Sequence, residues 1–369
     1  MKILHTADLH LGKTLNGYSL LEDQAYILNK IKDIIKEQNV DVVIFAGDIF
    51  DRAITSQEAL DLFCDFLDFI DKTDKTLISI LGNHDGERIT FTNRILKKNN
   101  IYIIKEPTRI DIDNVSFGCI PYLNIHQFRD YYTEDFKTID EAYKYALEED
   151  IRPKDGKFNV MVAHDYFTYH MEKLLESDSE IKNLVGGLEY LDISMFDKYD
   201  YVALGHMHNP QRVGKDTIRY SGSILKYSFS EATHNKSIVL LDTDSNSFSL
   251  IPLTPKRDLV DIKGTVDELT NREFYARYNY NNDYFRAVLP KIEVDSYKRL
   301  KDIYPYLMEI QIESKDNIEL IEKKKIREKD YIELFSMFYE NMLNEQISDE
   351  ELLIVKDYLL EGMKWDLIN

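Results

Sequence analysis

Residues 200–208 read DYVALGHMH. A short apolar run makes a buried strand, a glycine ends it, and two histidines spaced by one residue follow at once. The same order recurs upstream. KILHTA at 2–7 runs into Asp8-Leu9-His10, DVVIFA at 41–46 into Gly47-Asp48, and TLISI at 76–80 into Gly82-Asn83-His84-Asp85, while FNVMVA at 158–163 runs into His164. Residues 21–38 and 56–71 place apolar side chains three and four apart, as in Leu60, Phe63, Cys64 and Leu67, and read as amphipathic helices. Short buried strands interleaved with helices indicate an α/β layered fold.

Downstream the pattern changes. IRYSGSI, SIVLLDTD and SFSLIPL, within 217–253, alternate and carry turn residues, which predicts antiparallel strands. Pro252 and Pro255 mark a linker. Residues 256–325 then read strand, helix, strand, helix, strand, which suits a small α/β cap. Residues 326–362 read as two amphipathic helices; the first carries Tyr331, Leu334, Phe335, Phe338 and Met342, and the second starts at Ser348, an N-cap with Glu351 three residues on.

Composition narrows the class. The chain has 369 residues, 46 basic and 66 acidic, for a net charge of −20, with 44% apolar residues. There is ample Ile, Leu, Phe and Tyr for a core, which excludes a disordered chain. No apolar run approaches the roughly 18–20 residues that span a bilayer. Two cysteines, Cys64 and Cys119, cannot build a disulfide framework. The opening MKILHTADLH is interrupted by His5 and Asp8 and does not read as a signal peptide, so a cytoplasmic protein is expected. The acidity argues against a strongly basic nucleic-acid coat, though not against an enzyme that meets DNA through a local basic patch.

The chemistry lies where the strands stop. Five strand ends deliver carboxylate, imidazole or amide groups, and five of the nine histidines are among them. In α/β folds that edge is where ligands bind. Residues two apart at a strand end project to the same side, so Asp8 and His10 can share one ion, and His206 and His208 can share one or reach two. Asp48, after a glycine that lets the backbone turn, is the natural bridge between two cations. Asn83 adds a carbonyl oxygen and His164 an imidazole nitrogen. His170 is a rival for the last role, but His164 follows its strand directly. Mixed nitrogen and oxygen donors without thiolate suit Mn²⁺, Fe²⁺ or Zn²⁺. Any one of these residues alone fits a turn or a satisfied buried histidine; five strand ends together point to a two-metal phosphoesterase centre.

DLHLG at 8–12, GDIFD at 47–51, GNHD at 82–85 and GHMH at 205–208 resemble the calcineurin-like metallophosphoesterase signature. HTADLHLGKTL, GDIFDRAITSQEALDLF, VGGLEYLDISMFDKYDYVALGHMHNPQ and RYSGSILKYSFSE are similar to the SbcD family of nuclease subunits. The resemblance is strong over 1–255 and extends to the remainder in general layout. It implies a two-sheet sandwich flanked by helices over 1–255, a capping domain over 256–325 and C-terminal helices over 326–369 that dock on an SbcC-type ATPase. It implies Asp8, His10, Asp48 and His208 at one metal and Asp48, Asn83, His164 and His206 at the other, most often Mn²⁺. It further implies that His84 assists at the scissile phosphate, with Asp85 orienting it. The reaction would be DNA phosphodiester hydrolysis by a hydroxide activated between the two metals, on duplex ends, single strands and hairpins, in repair and recombination. A homodimer within a heterotetramer is implied, and the apolar and aromatic residues of the helix at 56–71 and near 88–100 are candidates for a dimer face. Lys13, Arg52, Arg88, Lys97, Lys98 and Arg129 are candidate DNA contacts, each of which judged singly reads as a solvated surface charge; Lys13 and Arg52, a few residues beyond metal ligands, are the better ones. Another two-metal phosphatase, or a non-catalytic scaffold on the same fold, are the alternatives. The SGS at 221–223 and the extension after the core favour the nuclease, and the complete ligand set argues against a scaffold.

Overall fold

The computed structural model describes residues 1–86, 100–170, 174–181, 190–313, 348 and 352. The chain divides into two units, Met1–Ile312 and Glu313–Asn369. In the second unit the Leu352 amide donates to the Ser348 carbonyl at 2.9 Å, an i to i+4 helical bond. The apolar stripe expected on Tyr331, Leu334, Phe335, Phe338 and Met342 lies outside the described residues, as do Arg88, Lys97 and Lys98.

In the first unit β1 (Lys2–Thr6), α1 (Leu21–Glu37), β2 (Val42–Ala46), α2 (Gln57–Lys72) and β3 (Thr76–Ile80) alternate. Next come β4 (Ile101–Ile104), β5 (Thr108–Ile112), β6 (Val115–Ile120), α3 (Ile125–Tyr132) and α4 (Ile139–Glu149). β7 (Phe158–His164), β8 (Tyr201–Gly205), β9 (Gln211–Val213), β10 (Lys215–Tyr220), β11 (Ser237–Asp242) and β12 (Ser247–Pro252) complete two six-stranded sheets. Their orders are β12-β11-β1-β2-β3-β4 and β9-β10-β8-β7-β6-β5. β1 to β4 are mutually parallel, with β11 antiparallel to β1. In the second sheet β10, β8, β7 and β6 run parallel between antiparallel edges.

The two-sheet α/β sandwich is thus observed, and its layers explain the strand sequences. β2 is buried at every position because α1 and α2 cover one face and the second sheet covers the other. Between the sheets Ile3, Val42, Ile44 and Ile78 meet Phe117, Val160, Val162 and Ala203. The alternate residues of β7 and β8, Met161, Ala163, Val202 and Leu204, pack with Phe128, Tyr143 and Ala146 of α3 and α4. Each buried Val, Leu, Ile, Met or Phe among them contributes about 1.5–3 kcal/mol of burial. α1 buries Gln24, Ile27, Leu28, Ile31 and Ile35 on one face. α2 begins at Ser56, whose Oγ accepts the Ala59 amide, and buries Ala59, Phe63, Phe66 and Ile70.

The stretch read as a strand through IRYSGSI stops at Tyr220. Beyond it the chain crosses from one sheet to the other. The Ser221 amide still reaches Leu204 of β8 at 3.3 Å, whereas Ser223 bridges Ala7 just past β1. The SGS segment therefore stitches the two sheets together.

After Pro252, β13 (Leu259–Lys263), β14 (Tyr284–Leu289) and β15 (Leu307–Ile312) form a separate parallel sheet in that order. Two single-turn helices and α5 (Ser296–Ile303) close its core of Ile262, Phe285, Ala287, Leu300 and Tyr304. This sheet is tied to α1. Arg257 lies 5.5 Å from the ring centres of both Tyr284 and Tyr306 and donates to Asp23 at 3.1 Å. The Tyr284 hydroxyl also donates to Asp23, at 2.8 Å.

Candidate metal centre

The C-terminal ends of β1, β2, β3, β7 and β8 meet at one edge of the sandwich. The chain leaves these strands in unusual conformations. Asp8, His10, Asp48 and His206 have φ of 53°, 43°, 50° and 105°. Positive φ costs a non-glycine residue about 1–2 kcal/mol, least for Asp and Asn, and is kept where packing and hydrogen bonds over-determine it. Here they do. The Asp8 and His10 amides donate to the Gly47 and Asp48 carbonyls at 3.1 and 3.0 Å. The His206 amide donates to both Asp8 carboxylate oxygens at 3.0 and 3.1 Å, and the His84 amide donates to Asp48 Oδ1 at 2.9 Å. Small residues make the approach possible: a Cβ on Gly47 would lie 2.1 Å from His164 Nδ1, and one on Gly205 would lie 1.8 Å from the Ala46 carbonyl.

The side-chain donors converge in two groups that share Asp48. His10 Nε2 faces His208 Nε2 at 3.1 Å and lies 3.6 Å from Asp48 Oδ2. On the other side His164 Nε2 lies 3.5 Å from Asp48 Oδ2, 3.0 Å from Asn83 Oδ1 and 3.3 Å from His206 Nδ1. His206 Nδ1 is also 3.0 Å from Asn83 Oδ1. Asp8, His10 and His208 form one candidate ligand cluster and Asp48, His164 and His206 another, while His10, Asp48 and His84 overlap both.

These separations test whether cations fit. Ligands about 2.1 Å from a common ion stand roughly 3.0–3.4 Å from one another. Imidazole nitrogens facing each other, and an amide oxygen facing two of them, can pair as hydrogen bonds only in particular tautomers, and at these distances they are equally ordinary neighbours on a shared ion. None of the six His and Asp donors exceeds 7% exposure, and His206 Nε2 is buried without a hydrogen-bond partner among the described residues. Burial pushes His10 and His206 well below the usual imidazole range, which keeps them neutral and able to ligate. Burial also pushes Asp8 up to about 7. His164 goes the other way: burial pulls it down, but the adjacent Asp48 carboxylate outweighs this and lifts it to about 9. Enclosed carboxylates here thus demand positive charge, as a proton or as a metal. With N and O donors and no thiolate, the centre suits divalent metals of the Mn²⁺, Fe²⁺ or Zn²⁺ kind.

The expected residues fall as follows. Asp8, His10, Asp48, Asn83, His164, His206 and His208 are brought together. His170 is not; it is exposed, stacked on Tyr169 and 3.8 Å from Asp192. His84 stands at the rim, edge-on to His10 with ring centres 4.8 Å apart. Its Nδ1 bonds the Asp51 carbonyl at 2.9 Å. Asp85, expected to orient His84, is placed differently. Its carboxylate accepts the Ile49, Phe50 and Gly82 amides at 3.1, 2.9 and 2.9 Å, so it clamps the β2 and β3 loops while a backbone carbonyl aligns the imidazole. Lys13 is ion-paired with Asp51 at 2.8 Å, and Arg52, 82% exposed, lies 3.7 Å from the same carboxylate. Arg129 is occupied with its own loop: Nε donates to the Phe136 carbonyl at 2.8 Å.

Several residues of the site had not been singled out. Gln24, on the apolar face of α1, donates to the His10 carbonyl at 2.7 Å and accepts the Gly12 amide at 3.0 Å, fixing the loop that carries Asp8 and His10. A polar residue on an otherwise apolar helical face was its visible signal. Around His208 stand Ser179, Glu180, Glu231 and Lys236, all at scattered sequence positions with no periodic or motif signal.

Residues 1–210 match the family described as calcineurin-like phosphoesterase. Over 370 residues the chain is 32% identical to the SbcD component of the nuclease SbcCD of Staphylococcus epidermidis, covering 97% of this chain and 98% of that one. Among solved structures, an archaeal phosphodiesterase is 17% identical with a TM-score of 0.32, covering 69% of this chain and 100% of that one. Yfce, a phosphoesterase from E. coli, is 10% identical with a TM-score of 0.31 over the same shares. The chain, a hydrolase with a centre for divalent metals, belongs to the calcineurin-like phosphoesterase family and, within it, to the SbcD nuclease subunits.

Proposed function

We propose that this protein is a Mn²⁺-dependent DNA nuclease subunit that hydrolyses phosphodiesters at duplex ends and in single strands or hairpins, together with an SbcC-type ATPase. The observation that supports this reading is the convergence of seven buried or half-buried donors in two groups around Asp48. Asp8, His10, Asp48 and His208 would hold one divalent ion, and Asp48, Asn83, His164 and His206 the other. Such a pair supplies Lewis acidity at the phosphoryl oxygens and a water nucleophile at neutral pH. The chain does the rest. Asp48, held by the His84 amide, keeps the two groups in register. His84, its Nδ1–H donated to the Asp51 carbonyl, leaves proton traffic at the phosphate to Nε2. Arg52, largely exposed though 3.7 Å from the Asp51 carboxylate, would neutralise a phosphate of the strand being cut; Lys13, bound to Asp51, would act within the site.

The relative that matches over nearly the whole chain supports the partner as well as the reaction. With a net charge of −20, duplex capture is shared with that partner, because it relies on neutralising phosphates. The reading extends to a phosphoesterase domain over 1–255, a cap over 256–325, partner-binding helices over 326–369, a homodimer within a heterotetramer, and work in repair and recombination in the cytoplasm. The test is purified protein with Mn²⁺ and a labelled duplex, with and without the ATPase and ATP, beside a small phosphomonoester. Degradation of DNA that Asp48→Ala brings to background is the expected result. A phosphomonoester cleaved in preference to DNA would favour another phosphatase, and an Asp48→Ala variant as active as the parent would end the proposal.

A further inference from the structure

His208 is gripped at every polar atom but one. Its backbone N–H donates to the Glu180 carboxylate. Its carbonyl accepts Lys236 Nζ at 2.8 Å and the Ser223 amide at 3.2 Å. Its ring Nδ1 meets Glu231 Oε1 at 3.1 Å and Ser179 Oγ at 2.9 Å. Only Nε2 remains, and it faces Nε2 of His10 at 3.1 Å. The partners are themselves fixed. Glu231 is fully buried, and its second oxygen pairs with Lys236 Nζ at 2.6 Å. Lys236 also donates to Ser223 Oγ at 2.8 Å, so it ties His208 to the SGS crossing between the sheets. Ser179 Oγ donates to Glu231 Oε1 at 2.7 Å, and Glu180 accepts the Ser177 amide at 2.8 Å.

The other ligands are backed less closely. His164 Nδ1 rests on a neutral acceptor, the Ala46 carbonyl at 2.7 Å, with Asp8 Oδ1 4.0 Å away, and His10 Nδ1 lies 3.7 Å from Asp51 Oδ1, outside hydrogen-bond reach. Two buried, oppositely charged side chains at a single imidazole are costly to enclose and do not serve packing as apolar residues would. A carboxylate on the far nitrogen of a ligating histidine sets its tautomer, aims its lone pair and raises its basicity.

We propose that Glu231, locked by Lys236 and Ser179, is a positioning residue that tunes the metal position holding His208 apart from the position holding His164. The two ions of the centre then differ in affinity, with the Glu231-backed one dependent on this network. The inference rests on the reading of His208 as a ligand.

The test is Mn²⁺ titration of the full chain, followed by electron paramagnetic resonance, which distinguishes a lone Mn²⁺ from a spin-coupled pair. The variants are Glu231→Gln and Glu231→Gln/Lys236→Met; the second leaves no unpaired buried charge and keeps the test open if the first unfolds. The parent protein should form the coupled pair. The variants should bind the first ion as the parent does, but need about 10–100-fold more Mn²⁺ to form the pair. Hydrolysis of a small phosphodiester should return when Mn²⁺ is raised. Pair formation at the parent's Mn²⁺ concentration, or equal weakening of both ions, would overturn the role of Glu231. A parent protein that binds no pair would instead overturn the ligand assignment beneath it.

Discussion

His84 meets the donor cluster through its backbone and its ring at once: the amide holds Asp48 Oδ1 and the imidazole stands edge-on to His10. Replacing the ring therefore leaves the Asp48 contact in place. His84→Ala should lower kcat on DNA and on a model phosphodiester by about 10²–10⁴-fold, the usual yield of a positioned proton donor. Mn²⁺ binding by calorimetry should stay at the parent level; a variant that loses the metals would assign His84 to ligation instead. At this scale the candidate ligands were legible because each is the first polar residue after an apolar run or stands two residues beyond that one. Asp85 was readable as part of the same motif but not in its role, since a carboxylate beside a histidine in sequence need not face it in space. Glu231 and Lys236 were not legible at all. Their function exists only because the chain folds back on His208, and nothing in FSEATHNK announces that contact.

The strands that deliver the ligands converge because small residues let them. Gly205, the last residue of β8, passes so near Ala46 at the end of β2 that the two strand ends are nearly in contact across the sandwich. Gly205→Ala forces them apart and should cost about 3 kcal/mol, at the upper end of overpacking effects, read as a drop in thermal midpoint on calorimetry. A midpoint within a degree of the parent would mean that the sheet edges yield freely. The five ligand-bearing strands and both long helices of the first half were readable within a residue or two from period and length. β4, β5 and β6 escaped notice, because they bear no chemistry and β5 alternates with polar residues at an edge. The end of β10 was overrun for a physical reason: IRYSGSI continues to alternate, but after Tyr220 the chain changes sheets.

The whole chain is strongly acidic, yet its proposed substrate is a polyanion, so the proposal divides capture and cleavage between this chain and its ATPase partner. If residues 326–369 form the docking segment, truncation after residue 325 should abolish co-purification with the ATPase and leave hydrolysis of a small phosphodiester unchanged. Co-purification of the truncated chain would place the contact elsewhere. The first unit, ending at Ile312, contains every donor of the metal centre, which is why its hydrolytic chemistry should survive. The layered fold was legible at this scale from the interleaving of strands and helices, whereas the tie between the small sheet and α1 through Arg257 depends on stacking that no local pattern encodes. The kinked strand ends carry a last consequence. Four residues are held in an uncomfortable backbone shape that brings the donors close together, and a divalent cation between them would relieve that crowding. Stripping divalent metal should therefore loosen this rim, to be read as faster limited proteolysis there with a chelator present than with Mn²⁺.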